Sequence, residues 1–278
     1  MANVGGAVMF LCLVLLSLMA PGMDSPTGFL DGERLVAHAM GGIDGRTLTN
    51  SEDAFTANYA KGFRWFEVDL RLTSDGGVAA VHDWERYFRD TLGRGIAEAH
   101  RAMPVSREAF RSSPVGGKYR PLDAGGIVGL LERHPDVRLV LDMKDPGPEA
   151  RARALRQLAA EADASPFPGV PERIVPQIPD PETYRMFESI RPFPSYILTL
   201  YASKAANEEV LRFVRQAPKI RAVAMPAFRV SPQFVSELKR SGTRVYVHTV
   251  NDPKKAAELR ETGVDGIYTD FLAPGAGG

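Results

Sequence analysis

The chain has 278 residues, of which 44% are hydrophobic and 24% charged. That balance belongs to a chain folding around a full core, and it excludes a disordered, collagen-like or polytopic membrane protein. Lysine plus arginine equals aspartate plus glutamate at 34 each, so no global field draws the chain to nucleic acid.

From Val4 to Ala20 the sequence is almost wholly apolar, and the first formal charge is Asp24. Residues 1–22 read as a secretory signal ending in Ala20-Pro21-Gly22, which predicts a secreted or periplasmic protein; the alternative is an uncleaved membrane anchor over residues 4–20. The sole cysteine, Cys12, lies in this segment. Its removal leaves no disulfide framework, zinc cluster or thiol nucleophile.

Beyond the leader, short β-rich runs alternate with amphipathic stretches. The runs cover 34–38, 65–70, 78–82, 138–144, 173–177, 196–200, 221–225, 244–249 and 266–268. Helices are predicted over 51–61, 124–133, 149–162, 181–190, 205–216, 232–240 and 253–261. Asp180-Pro181 and Asn251-Asp252-Pro253 are helix starts, with a capping side chain ahead of a first-turn proline. Gly62, Gly242 and Gly263 end helices.

Alternating strand and helix predict a parallel sheet with right-handed crossovers. With 78–82 set aside, eight strands remain in about 240 residues, the size of a (β/α)8 TIM barrel, here a single domain over 33–273. A doubly wound open sheet is the competing architecture; no glycine-rich phosphate loop follows the first strand to support it. The run 78–82 follows the turn Thr73-Ser74-Asp75-Gly76-Gly77 and is expected to be an extra hairpin strand.

Residues from about 84 to 122 read as an irregular loop insertion after the second barrel strand, with one helix near 106–111. Its Trp84, Tyr87 and Phe88 are expected to offer apolar contact area to a lipid or glycerol backbone. From Glu85 to Arg120 it carries eight basic against four acidic side chains. That excess suits either a solvated loop or a surface drawing a phosphate-bearing substrate or a membrane, so peripheral membrane contact is one expectation.

In Phe66-Glu67-Val68-Asp69-Leu70 the strand period puts Glu67 and Asp69 on one face and the apolar residues on the other. Two like charges turned into a core cost several kcal/mol each unless neutralised. Either a cation neutralises them, with hard oxygen ligands suited to Mg2+ or Ca2+, or this is an edge strand with its polar face in solvent. Asp142 and Lys144 share a face by the same parity. They form either a buried salt bridge or a third carboxylate ligand beside a cation that meets an anionic substrate.

His38 and His82 each end a β-rich run, which places them at the C-terminal rim where barrel active sites are built. Asp83 can orient the His82 imidazole. Singly, a rim histidine is more often structural; two of them beside three carboxylates and a lysine at strand ends are harder to ascribe to coincidence. His248, near another strand end, is a candidate substrate-lining residue. Gly41-Gly42 either forms a flexible loop or brings N–H groups to an anion.

Together these residues resemble the glycerophosphodiester phosphodiesterase family, part of the barrel superfamily that includes phosphatidylinositol-specific phospholipase C. The likeness runs from Val36 to Phe271. Ala37-His38 matches the family's opening strand and histidine, and Asn50-Ser51-Glu52-Asp53-Ala54-Phe55 its first helix start. Gly62, Glu67, Asp69, Leu72-Thr73-Ser74-Asp75-Gly76 and His82-Asp83 match its central block. Thr249-Val250-Asn251 and the run from Gly263 to Asp270 match its closing blocks.

The resemblance implies a (β/α)8 barrel, a divalent cation held by Glu67, Asp69 and Asp142, and His38 and His82 as the acid/base pair. Three departures stand out. His38-Ala39-Met40-Gly41 replaces His-Arg-Gly, so the arginine that usually touches phosphate is missing. Thr49 stands where a glutamate usually precedes the helix asparagine. Asp142-Met143-Lys144 replaces Glu-x-Lys and is closer to a sphingomyelinase D-like branch.

The expected activity is metal-dependent hydrolysis of a phosphodiester, glycerophosphodiester to glycerol 3-phosphate plus alcohol. His38 serves as base, His82 as acid and Lys144 as a second positive contact to the substrate. The rivals are a phospholipase acting on intact phospholipids, sphingomyelinase D-like or phospholipase C-like, and a non-catalytic barrel that binds phosphate-rich polymers. The expected partner is a small-molecule or lipid phosphodiester, with no nucleic acid.

Overall fold

Strand pairing defines the architecture. The computed structural model describes residues 34–275, Ala102 excepted; the apolar leader and Cys12 lie outside the described residues. The strands are β1 (Leu35–Ala37), β2 (Trp65–Leu72), β3 (Val78–Ala80), β4 (Arg138–Met143), β5 (Ile174–Ile178), β6 (Tyr196–Thr199), β7 (Ile220–Pro226), β8 (Arg244–His248) and β9 (Gly266–Thr269). They form one sheet in the order β1-β9-β8-β7-β6-β5-β4-β2-β3, and β1 also pairs with β2. All neighbours are parallel except β2 and β3. Because β1 touches both β2 and β9, the sheet closes into an eight-stranded barrel with β3 as an added hairpin strand.

Helix α1 (Glu52–Ala60) follows β1. After the β2–β3 hairpin come α2 (Trp84–Asp90), α3 (Ile96–Ala99), α4 (Arg107–Arg111) and α5 (Ala124–Arg133). One helix then follows each strand from β4 to β8: α6 (Pro148–Asp163), α7 (Pro181–Ile190), α8 (Asn207–Gln216), α9 (Pro232–Arg240) and α10 (Pro253–Glu261). The predicted starts are real caps: Asp180 accepts from Thr183 N at 2.7 Å and Asp252 from Lys254 N at 2.9 Å, each with proline in the first turn. Among the described residues no helix is long and apolar enough to cross a membrane.

Strand parity separates two layers. Phe66, Val68 and Leu70 of β2 and Leu139, Leu141 and Met143 of β4 join the apolar layer under the helices, with Phe55, Leu130 and Leu155. The alternate residues fill the barrel, where the Tyr268 hydroxyl donates to Gln177 Oε1 at 2.9 Å and Tyr246 packs edge-on to Tyr268. Gly266 has to be glycine there, since a Cβ would lie 2.2 Å from the Tyr246 ring.

The insertion corrects the expectation of an irregular loop. It contains three short helices around a small core of its own. Trp84, Tyr87 and Phe88 are buried in that core with Val81 and Phe110. They therefore offer no apolar surface to a lipid; hydrophobic burial of three large rings outweighs any exposed role.

Candidate active site

The barrel register brings the acidic residues together. Asp69 on β2 is directly opposite Asp142 on β4, and Ala37 of β1 opposite Phe66 sets His38 beside Glu67. Glu67, Asp69 and Asp142 are all buried, and each presents a carboxylate oxygen within 4.8 Å of the others. This is the inward-facing arrangement; the edge strand with a solvated polar face is ruled out.

Lys144 Nζ lies 3.1 Å from Asp69 Oδ1 and also binds Asp142 Oδ2. The salt bridge and the shared-face carboxylate thus coexist. The ammonium sits over the Tyr201 ring at 5.1 Å.

Around this cluster the backbone and the loops supply donors. Ala39 N donates to Glu67 Oε2 at 2.7 Å. Asn50 Nδ2 donates to Asp69 Oδ2 at 2.9 Å, and its Oδ1 accepts from Asp69 N at the same distance. Asp69 Oδ1 is still left buried without a hydrogen-bond partner, despite the nearby ammonium. Three convergent buried carboxylates, one of whose oxygens meets only the Lys144 ammonium, are the chemistry of a hard-cation site, and the triad can hold a divalent metal.

The two histidines reach the mouth by different routes. His38 follows β1 directly, in a single turn whose Ala39 and Met40 adopt left-handed backbone. His82 does not lie at the C-terminal end of a barrel strand. Strand β2 overruns the barrel, and β3 returns antiparallel with Leu70 opposite Ala80, which carries His82 back towards Asp69.

Each imidazole is backed by a carboxylate. His38 Nδ1 is 2.9 Å from Asp270 Oδ1, and His82 Nδ1 is 2.8 Å from Asp83 Oδ2. A carboxylate only accepts, so each Nδ1–H donates and Nε2 is the nitrogen left over. Asn251 in turn fixes Asp270: its Nδ2 donates to Asp270 Oδ2 at 2.8 Å and its Oδ1 accepts from Asp270 N at 2.7 Å.

Charge crowding shifts these groups. Burial and the Asp69 charge push the Glu67 carboxyl up to about 8, whereas Asp69, despite its own burial, is held at about 2 by Lys144 and the two histidines. Burial opposes a charged His38, but the Asp270 hydrogen bond and the Glu67 and Asp69 carboxylates raise it to about 9. Lys144 is held well above the ordinary lysine range, the three carboxylates outweighing its burial. His248, at the end of β8, falls to about 4 through burial and the positive His38 and Lys144. Its Nε2 is buried without a partner, and its ring stands edge-on to Tyr201 and Tyr268 at the same mouth.

Gly41 and Gly42 do not offer N–H groups to an anion. Gly41 N donates to His38 O and Gly42 N to Asp270 O, both at 2.7 Å. The pair is there for close packing, since a Cβ on Gly42 would come within 2.3 Å of the Phe271 ring. Ala39, where the resemblance calls for arginine, is fully buried and contributes only backbone: its N–H donates to Glu67 and its carbonyl accepts from Asn50 N at 3.2 Å.

Asn50, Asn251 and Asp270 stand in the matched motifs, and their part in the site emerges only in the fold. All three are buried or bonded polar residues in loops at the strand ends, and that combination is the pattern that marks them.

Residues 42–273 match the glycerophosphoryl diester phosphodiesterase family. A glycerophosphodiester phosphodiesterase of Caldanaerobacter subterraneus subsp. tengcongensis is 25% identical over 236 residues, 80% of this chain and 88% of that one. Among solved structures, an Oleispira antarctica phosphodiesterase in complex with the product sn-glycerol-3-phosphate has a TM-score of 0.69 at 17% identity, covering 86% of this chain and 93% of the other. A glycerophosphodiester phosphodiesterase from Parabacteroides distasonis has a TM-score of 0.65 at 18% identity, covering 85% and 92%. These structures share the closed barrel. With the family match running over most of its length, the chain belongs to the glycerophosphoryl diester phosphodiesterase family, whose members are phosphoric diester hydrolases.

Proposed function

We propose that this chain hydrolyses glycerophosphodiesters to glycerol 3-phosphate and an alcohol, with Mg2+ or Ca2+ held by Glu67, Asp69 and Asp142. The observation that carries this reading is the meeting, at one barrel mouth, of three buried carboxylates, two carboxylate-backed imidazoles and a lysine. The product bound to the Oleispira antarctica phosphodiesterase supports the glycerol side of the substrate.

When bound, the cation supplies positive charge against the phosphate oxygens. Lys144 brings a second positive charge to the same oxygens as negative charge builds up in the transition state. His38 Nε2 takes the proton of the attacking water. Oxygen from that water bonds to phosphorus, the bond from phosphorus to the alcohol oxygen breaks, and His82 Nε2 donates a proton to the leaving alkoxide. Asp270 and Asp83 hold the two rings in the tautomer this exchange needs. His38, held protonated by the neighbouring carboxylates, would give up that proton more readily with their charge offset, and its Nε2 could then accept from water near neutral pH.

A panel of glycerophosphodiesters and intact phospholipids, assayed on purified protein with EDTA and then with Mg2+ or Ca2+, tests the reading. Glycerophosphodiester turnover is expected, lost on chelation and restored by the cation. Full activity in metal-free buffer rejects the metal role. Turnover of intact phospholipids alone establishes the phospholipase alternative, and binding without turnover the non-catalytic one.

A further inference from the structure

Beside His82 lies a cavity of about 300 Å³, walled by the loop after β1 on one side and the insertion on the other. His82 lines it, whereas His38 does not. Tyr87 and Phe110 back it from the insertion's core, and it is lined by two arginines, Arg46 from the loop after β1 and Arg86 from α2.

Arg46 has neither a hydrogen bond nor an ion pair from its guanidinium among the described residues. It lies against the bare backbone of Gly116, where a Cβ would approach Nη1 to 2.5 Å. Gly116 is tied to the end of α2 by its N–H, which donates to Thr91 Oγ1 at 3.2 Å. The loop that presents Arg46 holds left-handed backbone at Asp44, Leu48 and Asn50, a conformation kept only where the surroundings impose it.

Arg86 has Asp90 3.8 Å from its Nε, but Asp90 is nearer to Arg89, at 2.9 Å. Asp44 and Asp83 also feel the charges of Arg46 and Arg86, but Asp44 is bonded by Lys118 and Tyr119 and Asp83 by His82. With Asp90 the one carboxylate lining the cavity, its two arginines leave an excess of positive charge beside the proposed proton donor.

We propose that this cavity receives the alcohol half of the phosphodiester and selects an alcohol bearing a phosphomonoester. The proposal rests on the phosphodiesterase reading above and adds the class of leaving group. Position supports it: the alcohol leaves from His82, the histidine that lines the cavity. Size supports it as well, since about 300 Å³ is the lower range of small-ligand pockets and takes a polyol with one phosphate. Charge supplies the selectivity. A phosphomonoester carries nearly two negative charges at neutral pH and matches two guanidinium forks better than a neutral or cationic alcohol.

The test compares kcat/KM for glycerophosphoinositol 4-phosphate with that for glycerophosphoinositol, which differ only in the second phosphate. The phosphorylated substrate is expected to lead by about tenfold or more, and Arg46→Gln or Arg86→Gln to lower that ratio by about tenfold, roughly one charge-assisted contact each. Using the ratio cancels any general loss of folded enzyme. Isothermal titration with inositol 4-phosphate reads the same subsite without turnover and is expected to show weaker binding in both variants. A wild-type ratio at or below one, or a ratio unmoved by either substitution, overturns the proposal and leaves the phosphodiesterase reading standing. Absence of turnover on every phosphodiester overturns both.

Discussion

At the level of single residues, His38 and His82 differ in their surroundings, and the acid/base roles proposed for them can be tested one at a time. His38 is 21% exposed and sits inside the carboxylate cluster, whereas His82 is 37% exposed and faces the insertion. Replacing either by alanine removes a proton carrier, so His38→Ala and His82→Ala are each expected to lower kcat by at least about a hundredfold. Circular dichroism should show the barrel still folded, and near-wild-type turnover in either variant would sink the assignment. Asp270→Asn is the finer probe. It removes a negative hydrogen-bond partner of the protonated ring, so the NMR titration midpoint of His38 in metal-free protein should fall from about 9 towards the ordinary imidazole value. Adding a divalent cation to the unsubstituted protein should lower the same midpoint, because the cation offsets Glu67 and Asp69. A midpoint fixed near 9 in both experiments contradicts the electrostatic account. Most of these residues were legible because strand parity aims Glu67, Asp69, Asp142 and Lys144 inwards. Asp270 was not, because its bond to His38 spans 232 residues and exists only once β9 pairs with β1.

At the level of elements, the insertion is the part that least resembles its sequence-based expectation. The strands of the barrel and the seven longer helices show their period over enough residues to be read. Helices of four to seven residues, such as α2 and α3, complete too few turns for a periodic pattern. What organises them is a cap and a core. Asp83 accepts from Arg86 N at 2.6 Å as the cap of α2, and the same carboxylate holds His82 Nδ1. Folding of α2 therefore places the carboxylate that holds the His82 imidazole. Phe110 on α4 is fully buried against Trp84 and Tyr87, with ring centroids 6.1 and 5.5 Å away. Phe110→Ala is expected to cost about 3–5 kcal/mol within this cluster. Because the cluster is separate from the barrel core, hydrogen exchange should quicken over residues 84–122 while β4 to β9 keep their protection. Activity should fall with it, since Phe110 also lines the cavity beside His82. Loss of protection spread evenly over the barrel would show that the insertion is not an independent cooperative unit.

At the level of the whole molecule, the closed barrel forces mutually repelling groups into one buried space, so its stability is expected to depend on protons and, if the triad binds one, on a cation. In the metal-free protein Glu67 is raised from 4.5 to about 8 and His38 from 6.5 to about 9. Both hold a proton more tightly folded than unfolded, so the stability they lend is complete below the unfolded values and lost as pH rises through the folded ones. Asp69 has the opposite sign, but its fall to about 2 acts only in acid, outside this window. Glu67 begins to lose its contribution from about pH 4.5, but His248, lowered from 6.5 to about 4, gains stability over nearly the same range and offsets it, so the Tm of the metal-free protein should fall chiefly between about pH 6.5 and 9. A divalent cation on the triad competes with the Glu67 proton, so binding releases protons and tightens as pH rises. Calorimetry with and without Mg2+ or Ca2+ should accordingly show a larger rise in Tm at pH 9 than at pH 6.5, by the mass action of a ligand that binds only the folded state. Glu67→Gln removes the titrating ligand and should flatten both the pH dependence and the cation shift. A metal-free Tm that climbs towards pH 9, or a cation shift equal at both pH values and unaffected by Glu67→Gln, would show that the carboxylate cluster is not the place where protons and metal compete.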